Sequence, residues 1–75
     1  MKIFLVGATG VIGRQLILLL IASGHAVTGT TRVAEKRQLL QQVGASAVVV
    51  DVFEREKLFT VIREAQPDVV HPPTD

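Results

Sequence analysis

Three glycines at every third position, Gly7, Gly10 and Gly13, separate a short apolar run from a longer one. This spacing predicts a tight turn between a buried strand and a buried helix, because glycine permits sharp turns and lets a ligand approach the backbone. The free N–H groups of a helix's first turn, together with its dipole, form an anion site. The segment is therefore predicted to bind the diphosphate of a dinucleotide. The alternative is a purely structural turn, since small loops are often rich in glycine.

A second chemical signal lies at the end of the second apolar run, about 20 residues after the glycines. An acidic residue at this place accepts hydrogen bonds from the adenosine ribose of NAD. Here Thr31 occupies the place and Arg32 follows, so a guanidinium is available for the 2′-phosphate of NADP. Arg14 could approach the same phosphate, with Lys36 and Arg37 adding a weaker field. NADP is the predicted cofactor and NAD the less favoured one; the alternative is that these cations are solvated surface charges.

The third chemical position follows the valines at 48–50. Asp51 could accept a hydrogen bond from the adenine amino group, with Val52 against the ring. Glu54 stands three residues later, so Asp51 could equally be the N-cap of a helix in a capping-box arrangement. Both interpretations of Asp51 are open at this stage.

The two histidines and the overall composition exclude several other functions. His25 is most simply a turn residue, and His71 could line the cofactor cleft at the open end of the last strand. With no Cys and no clustered carboxylates, no metal site is predicted. The formal charge is +1 and the chain has no Trp or Tyr, so nucleic-acid binding is not expected.

The N-terminal region superficially resembles a signal peptide, with a lysine before an apolar body. Arg14 and Gln15 interrupt that body, and the stretch 16–22 is far shorter than the roughly 20 residues of a membrane span. The sequence therefore predicts a soluble cytoplasmic protein with no membrane partner, and the absence of Cys fits a reducing compartment.

Four short apolar runs alternate with three helical patterns along the 75 residues. The predicted strands are 2–6, 26–30, 47–50 and 68–71, and the predicted helices are 11–23, 34–43 and 54–65. Gly24 and Gly44 lie where a left-handed glycine ends a helix. Right-handed crossovers then predict an α/β, three-layer, Rossmann-like half-domain with a parallel four-stranded sheet in the order 3-2-1-4, flanked by helices.

Together these motifs resemble the N-terminal half of the short-chain dehydrogenase/reductase superfamily, in its extended and atypical branches, the NAD(P)-dependent epimerase/dehydratase and NmrA-like proteins. The resemblance rests on GATGVIGR at 7–14, TTR at 30–32, VDV at 50–52 and PDVVH at 67–71. It implies that Arg32 favours NADP, that Asp51 and Val52 hold adenine, and that the diphosphate is lined by Gly7, Thr9, Gly10, Val11, Ile12 and Gly13. It also implies substrates such as sugar nucleotides, flavonoids and ketones.

The chain departs from that superfamily in its catalytic residues. Members carry a Ser or Thr and a Tyr-x-x-x-Lys pair on later elements, and this chain contains no Tyr. The expectation is therefore one truncated NAD(P)-binding domain over residues 1–75, with no catalytic residue and no dehydrogenase activity of its own.

Two other functions stay open. One is a structural module whose glycine loop is a relic, and which forms a homodimer through an unpaired fourth strand or the apolar first helix. The other is an NADP-sensing regulator, as in the NmrA-like branch.

Overall fold

The computed structural model describes residues 1–7, 11–51 and 53–71, with the backbone alone at positions 11 and 12. Four parallel strands form one sheet in the order β3-β2-β1-β4. The strands are β1 (Lys2–Leu5), β2 (Ala26–Thr31), β3 (Ser46–Val49) and β4 (Val69–His71), and the helices are α1 (Val11–Ala22), α2 (Arg37–Gln42) and α3 (Arg55–Ala65). The predicted α/β class and strand order are confirmed. Right-handed crossovers place α1 and α2 on one face of the sheet and α3 on the other.

Strand β1 lies between β2 and β4 and is the most deeply buried strand. Ile3, Phe4 and Leu5 are all buried, and Leu5 is in register with Gly29 of β2 and His71 of β4. A strand covered on both faces must be apolar along its length, because successive side chains point to opposite faces. The central position of β1 therefore explains why its sequence is a continuous apolar run.

The main hydrophobic cluster lies beneath α1 and α2. Ile17 of α1 and Leu40 of α2 are both 0% exposed. They form one cluster with Leu5, Val27 and Ala45. Full burial of one such aliphatic side chain contributes about 1.5–3 kcal/mol, so these contacts are a main source of stability in so short a chain.

Glycines end the first two helices as the sequence predicts. Gly24 has φ +89° and Gly44 has φ +92°, both in the left-handed region. The Gly24 N–H donates to the carbonyl of Ile21 at 2.9 Å, and the Gly44 N–H donates to the carbonyl of Gln41 at 3.0 Å. These bonds satisfy carbonyl groups that the helix itself leaves without partners.

The second helical segment differs from its predicted form. Its first turn, Ala34–Lys36, is a 3-10 turn, and α2 proper begins at Arg37. Val33, which precedes the turn, makes no side-chain cap hydrogen bond. Because an uncapped start leaves the first N–H groups without a side-chain acceptor, the chain closes there with the tighter bond from the Lys36 N–H to the Val33 carbonyl, 3.0 Å long.

Helix α1 consists of 12 residues and is apolar on most of its surface. Within the part of the chain that the structure describes, no helix combines the length and the apolar character needed to cross a membrane.

Candidate functional site

Backbone hydrogen bonds join the carboxyl ends of the strands in two pairs, β1 with β4 and β2 with β3, at one edge of the sheet. The Val6 N–H donates to the His71 carbonyl at 3.1 Å, and the Val50 N–H donates to the Thr31 carbonyl at 2.9 Å. In open parallel sheets ligands bind outside this edge, where the strand order reverses. In this sheet the reversal lies between β1 and β4, so the edge that follows Leu5 is the candidate site.

The turn after β1 is held by a side chain that the sequence interpretation did not assign to the site. Gly7 has φ +73°, and its N–H donates to Oγ1 of Thr30 on the neighbouring strand at 2.7 Å. Thr30 is 1% exposed. The Gly7 N–H is therefore already used within the protein and is not an available donor for a ligand. No signal in the sequence separates Thr30 from the other two threonines of β2.

The rest of the glycine segment is described in part. Thr9 and Gly10 lie outside the described residues, as do the side chains of Val11 and Ile12. Helix α1 begins at Val11, and Gly13, the third glycine, is buried in its first turn. Because glycine has no side chain, this position lets the helix pack closely on the sheet.

Arg32 follows β2 at the same edge and is exposed. Thr31, the last residue of β2, is 3% exposed, and its Oγ1 both accepts from the Val33 N–H and donates to the Val33 carbonyl, each at 3.2 Å. These bonds close a small turn around Arg32. Arg14 in α1 is half-buried, while Lys36 and Arg37 are exposed.

Asp51 follows β3 and its carboxylate is engaged locally. Oδ1 of Asp51 accepts from the Phe53 N–H at 3.0 Å, and the Asp51 N–H donates to Oε1 of Glu54 at 3.3 Å. Only the Glu54 half of a capping box is formed, since the Asp51 side chain bonds Phe53 and not Glu54, and α3 begins only at Arg55. The two bonds therefore close a turn in front of the helix. Val52 lies outside the described residues.

The two histidines lie at opposite edges of the sheet. Nδ1 of His25 is 3.2 Å from the amino nitrogen of Met1, at the amino edge and away from the candidate site. His71 ends β4 at the carboxyl edge and is half-buried. In residues 1–7, 11–51 and 53–71 no three His, Asp or Glu side chains are grouped to hold a metal ion.

Comparison with known proteins shows which family the chain belongs to. Residues 3–72 match the sequence model of the NAD dependent epimerase/dehydratase family. The chain belongs to that family. The match covers β1 through β4, and with them the glycine turn, Arg32 and Asp51. The family match and the Rossmann-like sheet therefore agree over nearly the whole described chain.

The chain spans well under half the length of the proteins that it matches. A 3-diazoavenalumate denitrifying reductase from a Streptomyces species is 37% identical over 70 residues, which cover 93% of this chain and 22% of the reductase. The solved UDP-glucose 4-epimerase of Thermotoga maritima, with UDP-glucose, superposes with a TM-score of 0.80 at 21% identity, over 99% of this chain and 24% of the epimerase. BdcA from E. coli superposes with a TM-score of 0.79 at 24% identity, over 92% of this chain and 38% of BdcA. Both structures share the fold of this epimerase/dehydratase member.

Proposed function

We propose that this chain is the NADP(H)-binding N-terminal portion of a short-chain dehydrogenase/reductase-type oxidoreductase or epimerase, and that it acts in the cytoplasm. The observation that carries the proposal is the 2.7 Å hydrogen bond from the Gly7 N–H to Thr30. It joins the glycine turn to the strand that ends beside Arg32, so a diphosphate and an adenosine ribose can be bound at one edge. The chain has no Tyr for the catalytic pair of the superfamily.

The preference for NADP is argued from charge at the end of β2. Thr31 stands where a ribose-binding carboxylate would select NAD, and it is buried, while Arg32 beside it is exposed. A guanidinium binds a phosphate with paired, charge-assisted hydrogen bonds, whereas a carboxylate at this place would repel it. Arg14, half-buried in α1, is the second cation proposed for the 2′-phosphate.

Titration with NADPH and with NADH tests this function. NADPH is expected to bind about 10-fold or more tightly than NADH, because a hydrogen bond to a charged group contributes about 1.5–3 kcal/mol. Arg32→Ala should remove most of that preference. Arg63→Ala is the matched control, since Arg63 is an exposed arginine in the last turn of α3, which runs toward the amino edge. If neither dinucleotide binds at about millimolar concentration, the proposal fails.

Adenine recognition is proposed for Asp51 and Val52, after β3. One oxygen of Asp51 already accepts from the Phe53 N–H, which fixes the carboxylate at the carboxyl edge. Asp51→Asn should weaken NADPH and NADH about equally, because both carry adenine, and by about three- to 10-fold if one hydrogen bond is lost. A change confined to NADPH would contradict this role.

A self-association module is the second candidate, and exposed apolar side chains favour it. On the edge strand β4 Val69 and Val70 are 42% and 45% exposed, and on α1 Leu19 is 67% exposed. Neighbouring strand residues point to opposite faces, so β4 presents valine on both sides. Sedimentation analysis should show a homodimer that Val70→Lys weakens; a monomer at high concentration would exclude this function.

A further inference from the structure

Two adjacent buried threonines at the end of β2 bond to two different parts of the candidate site. Thr30 accepts from the N–H of Gly7 in the turn after β1. Thr31 bonds both backbone groups of Val33, one residue beyond Arg32. Buried hydroxyl groups cost free energy unless they are hydrogen-bonded, and here each hydroxyl has a backbone partner in the loop that follows a central strand.

We propose that Thr30 and Thr31 are positioning residues with divided tasks, a role that rests on the proposed NADP function. Thr30 sets the turn that receives the diphosphate, which NADPH and NADH share. Thr31 sets the turn that presents Arg32 to the 2′-phosphate, which only NADPH carries. Thr30 therefore affects the affinity for both dinucleotides, and Thr31 affects the preference for NADPH over NADH.

The task of Thr30 follows from the conformational freedom of Gly7. A glycine loses more backbone entropy on ordering than any other residue, and Gly7 must be held at φ +73°. The hydrogen bond of 2.7 Å to a hydroxyl that is 1% exposed removes that freedom before a ligand arrives. Binding is tighter when a loop is already ordered, because the ligand does not have to supply the ordering free energy.

The task of Thr31 follows from how its backbone and side chain are anchored. Its carbonyl accepts from the Val50 N–H at 2.9 Å, so the end of β2 is fixed to the segment after β3. Its Oγ1 then closes the turn across Arg32 through two bonds of 3.2 Å to Val33. Arg32 itself is exposed, so its long side chain starts from a defined backbone position although its tip is surrounded by water.

The experiment measures Kd for NADPH and NADH in the full 75-residue chain and four variants. Thr30→Val should weaken both dinucleotides by a similar factor, about three- to 10-fold, which is the usual effect of one lost hydrogen bond. Thr31→Val should weaken NADPH by about the same factor and leave NADH within about twofold. Thr30→Ser and Thr31→Ser keep the hydroxyl and should restore the unsubstituted pattern.

The NADPH-to-NADH ratio is the deciding readout, since a general loss of stability would not change it selectively. A Thr31→Val chain that loses both dinucleotides equally, or serine variants that behave like the valine ones, would overturn the division of tasks while leaving NADP binding intact. If the unsubstituted chain binds neither dinucleotide, the proposed function fails and this inference with it.

Amide hydrogen exchange supplies a measurement that needs no valine variant, and circular dichroism shows which variants fold. In the unsubstituted chain the amides of Gly7 and Val33 should exchange slowly, and the serine variants should keep that protection. If a valine variant does not fold, the exchange rates of these two amides in the unsubstituted chain decide between the outcomes. Fast exchange at Gly7 would overturn the task of Thr30, and fast exchange at Val33 would overturn the task of Thr31.

Discussion

The helices on the two faces of the sheet bury their own side chains to very different degrees. Under α1 and α2, Ile17 and Leu40 are 0% exposed and belong to one continuous apolar cluster. On the other face α3 contains no buried residue, and the apolar positions of its inner face, Leu58 among them, are only half-buried. Beside α3, the edge strand β4 exposes its valines. The packed layer is therefore expected to supply most of the stability of the described chain.

This difference matters for the candidate site. The glycine turn follows β1 and Arg32 follows β2, the two strands in the centre of the sheet. Both positions therefore rest on the well-packed part of the molecule. Asp51, proposed for adenine, follows the edge strand β3 and leads into α3, the less covered helix. Site geometry on rigid elements is held more closely than on loosely packed ones, so the phosphate-binding end should be the better ordered end.

The largest expected effect compares matched leucines on the two faces. Leu40→Ala should destabilise the chain by about 2–5 kcal/mol, because it leaves a cavity at a fully buried position. That loss approaches the whole stability of a small domain, so the variant is expected to be mostly unfolded. Leu58→Ala, at a half-buried position, should cost only about 1 kcal/mol. Urea unfolding followed by circular dichroism measures both.

Equal losses of stability in the two variants would contradict this difference, because they would show that α3 packs as tightly as α2. The substitutions are chemically identical and both lie within helices, so differences in helix propensity cancel.

A smaller effect is expected at the helix ends of the packed layer. Gly44→Ala places a Cβ 3.3 Å from Cδ1 of Ile21 in a left-handed backbone at φ +92°, and Gly24→Ala meets nothing within 4 Å at φ +89°. Each should cost about 1–2 kcal/mol for the conformation alone. Gly44→Ala should be slightly the worse, because Ile21 must move. Thermal unfolding of the two variants tests the order, and a larger loss at Gly24 would contradict it.

The smallest effect is expected at the end of α3, where a residue other than glycine adopts the left-handed backbone conformation. Gln66 has φ 48° and ψ 56°, and its N–H donates to the Ile62 carbonyl at 3.1 Å. Gln66→Gly should stabilise the chain by about 0.5–1 kcal/mol, since glycine adopts this region without the Cβ penalty. A raised Tm would show that the less covered face also ends its helix under strain; a lowered Tm would argue against that strain.

Much of the site could be predicted from local signals. The positive φ of Gly7 and the placement of Arg32 at the end of β2 follow from the glycine spacing and the strand pattern. The bond from Gly7 to Thr30 could not be predicted in this way, because its partners are 23 residues apart and meet only when β1 and β2 pair. The capping pattern at Asp51 was visible, but the start of α3 at Arg55 depends on the backbone of Glu54.

By itself the sequence determined the element order, the strand order and the glycines that end α1 and α2. Those features depend on short-range periodicity, on backbone conformations that glycine favours and on the handedness of crossovers. Tertiary structure decided which face is well packed and which hydroxyl holds the glycine turn. Both depend on contacts between residues distant in the chain, and burial at one position is set by what the other elements leave uncovered.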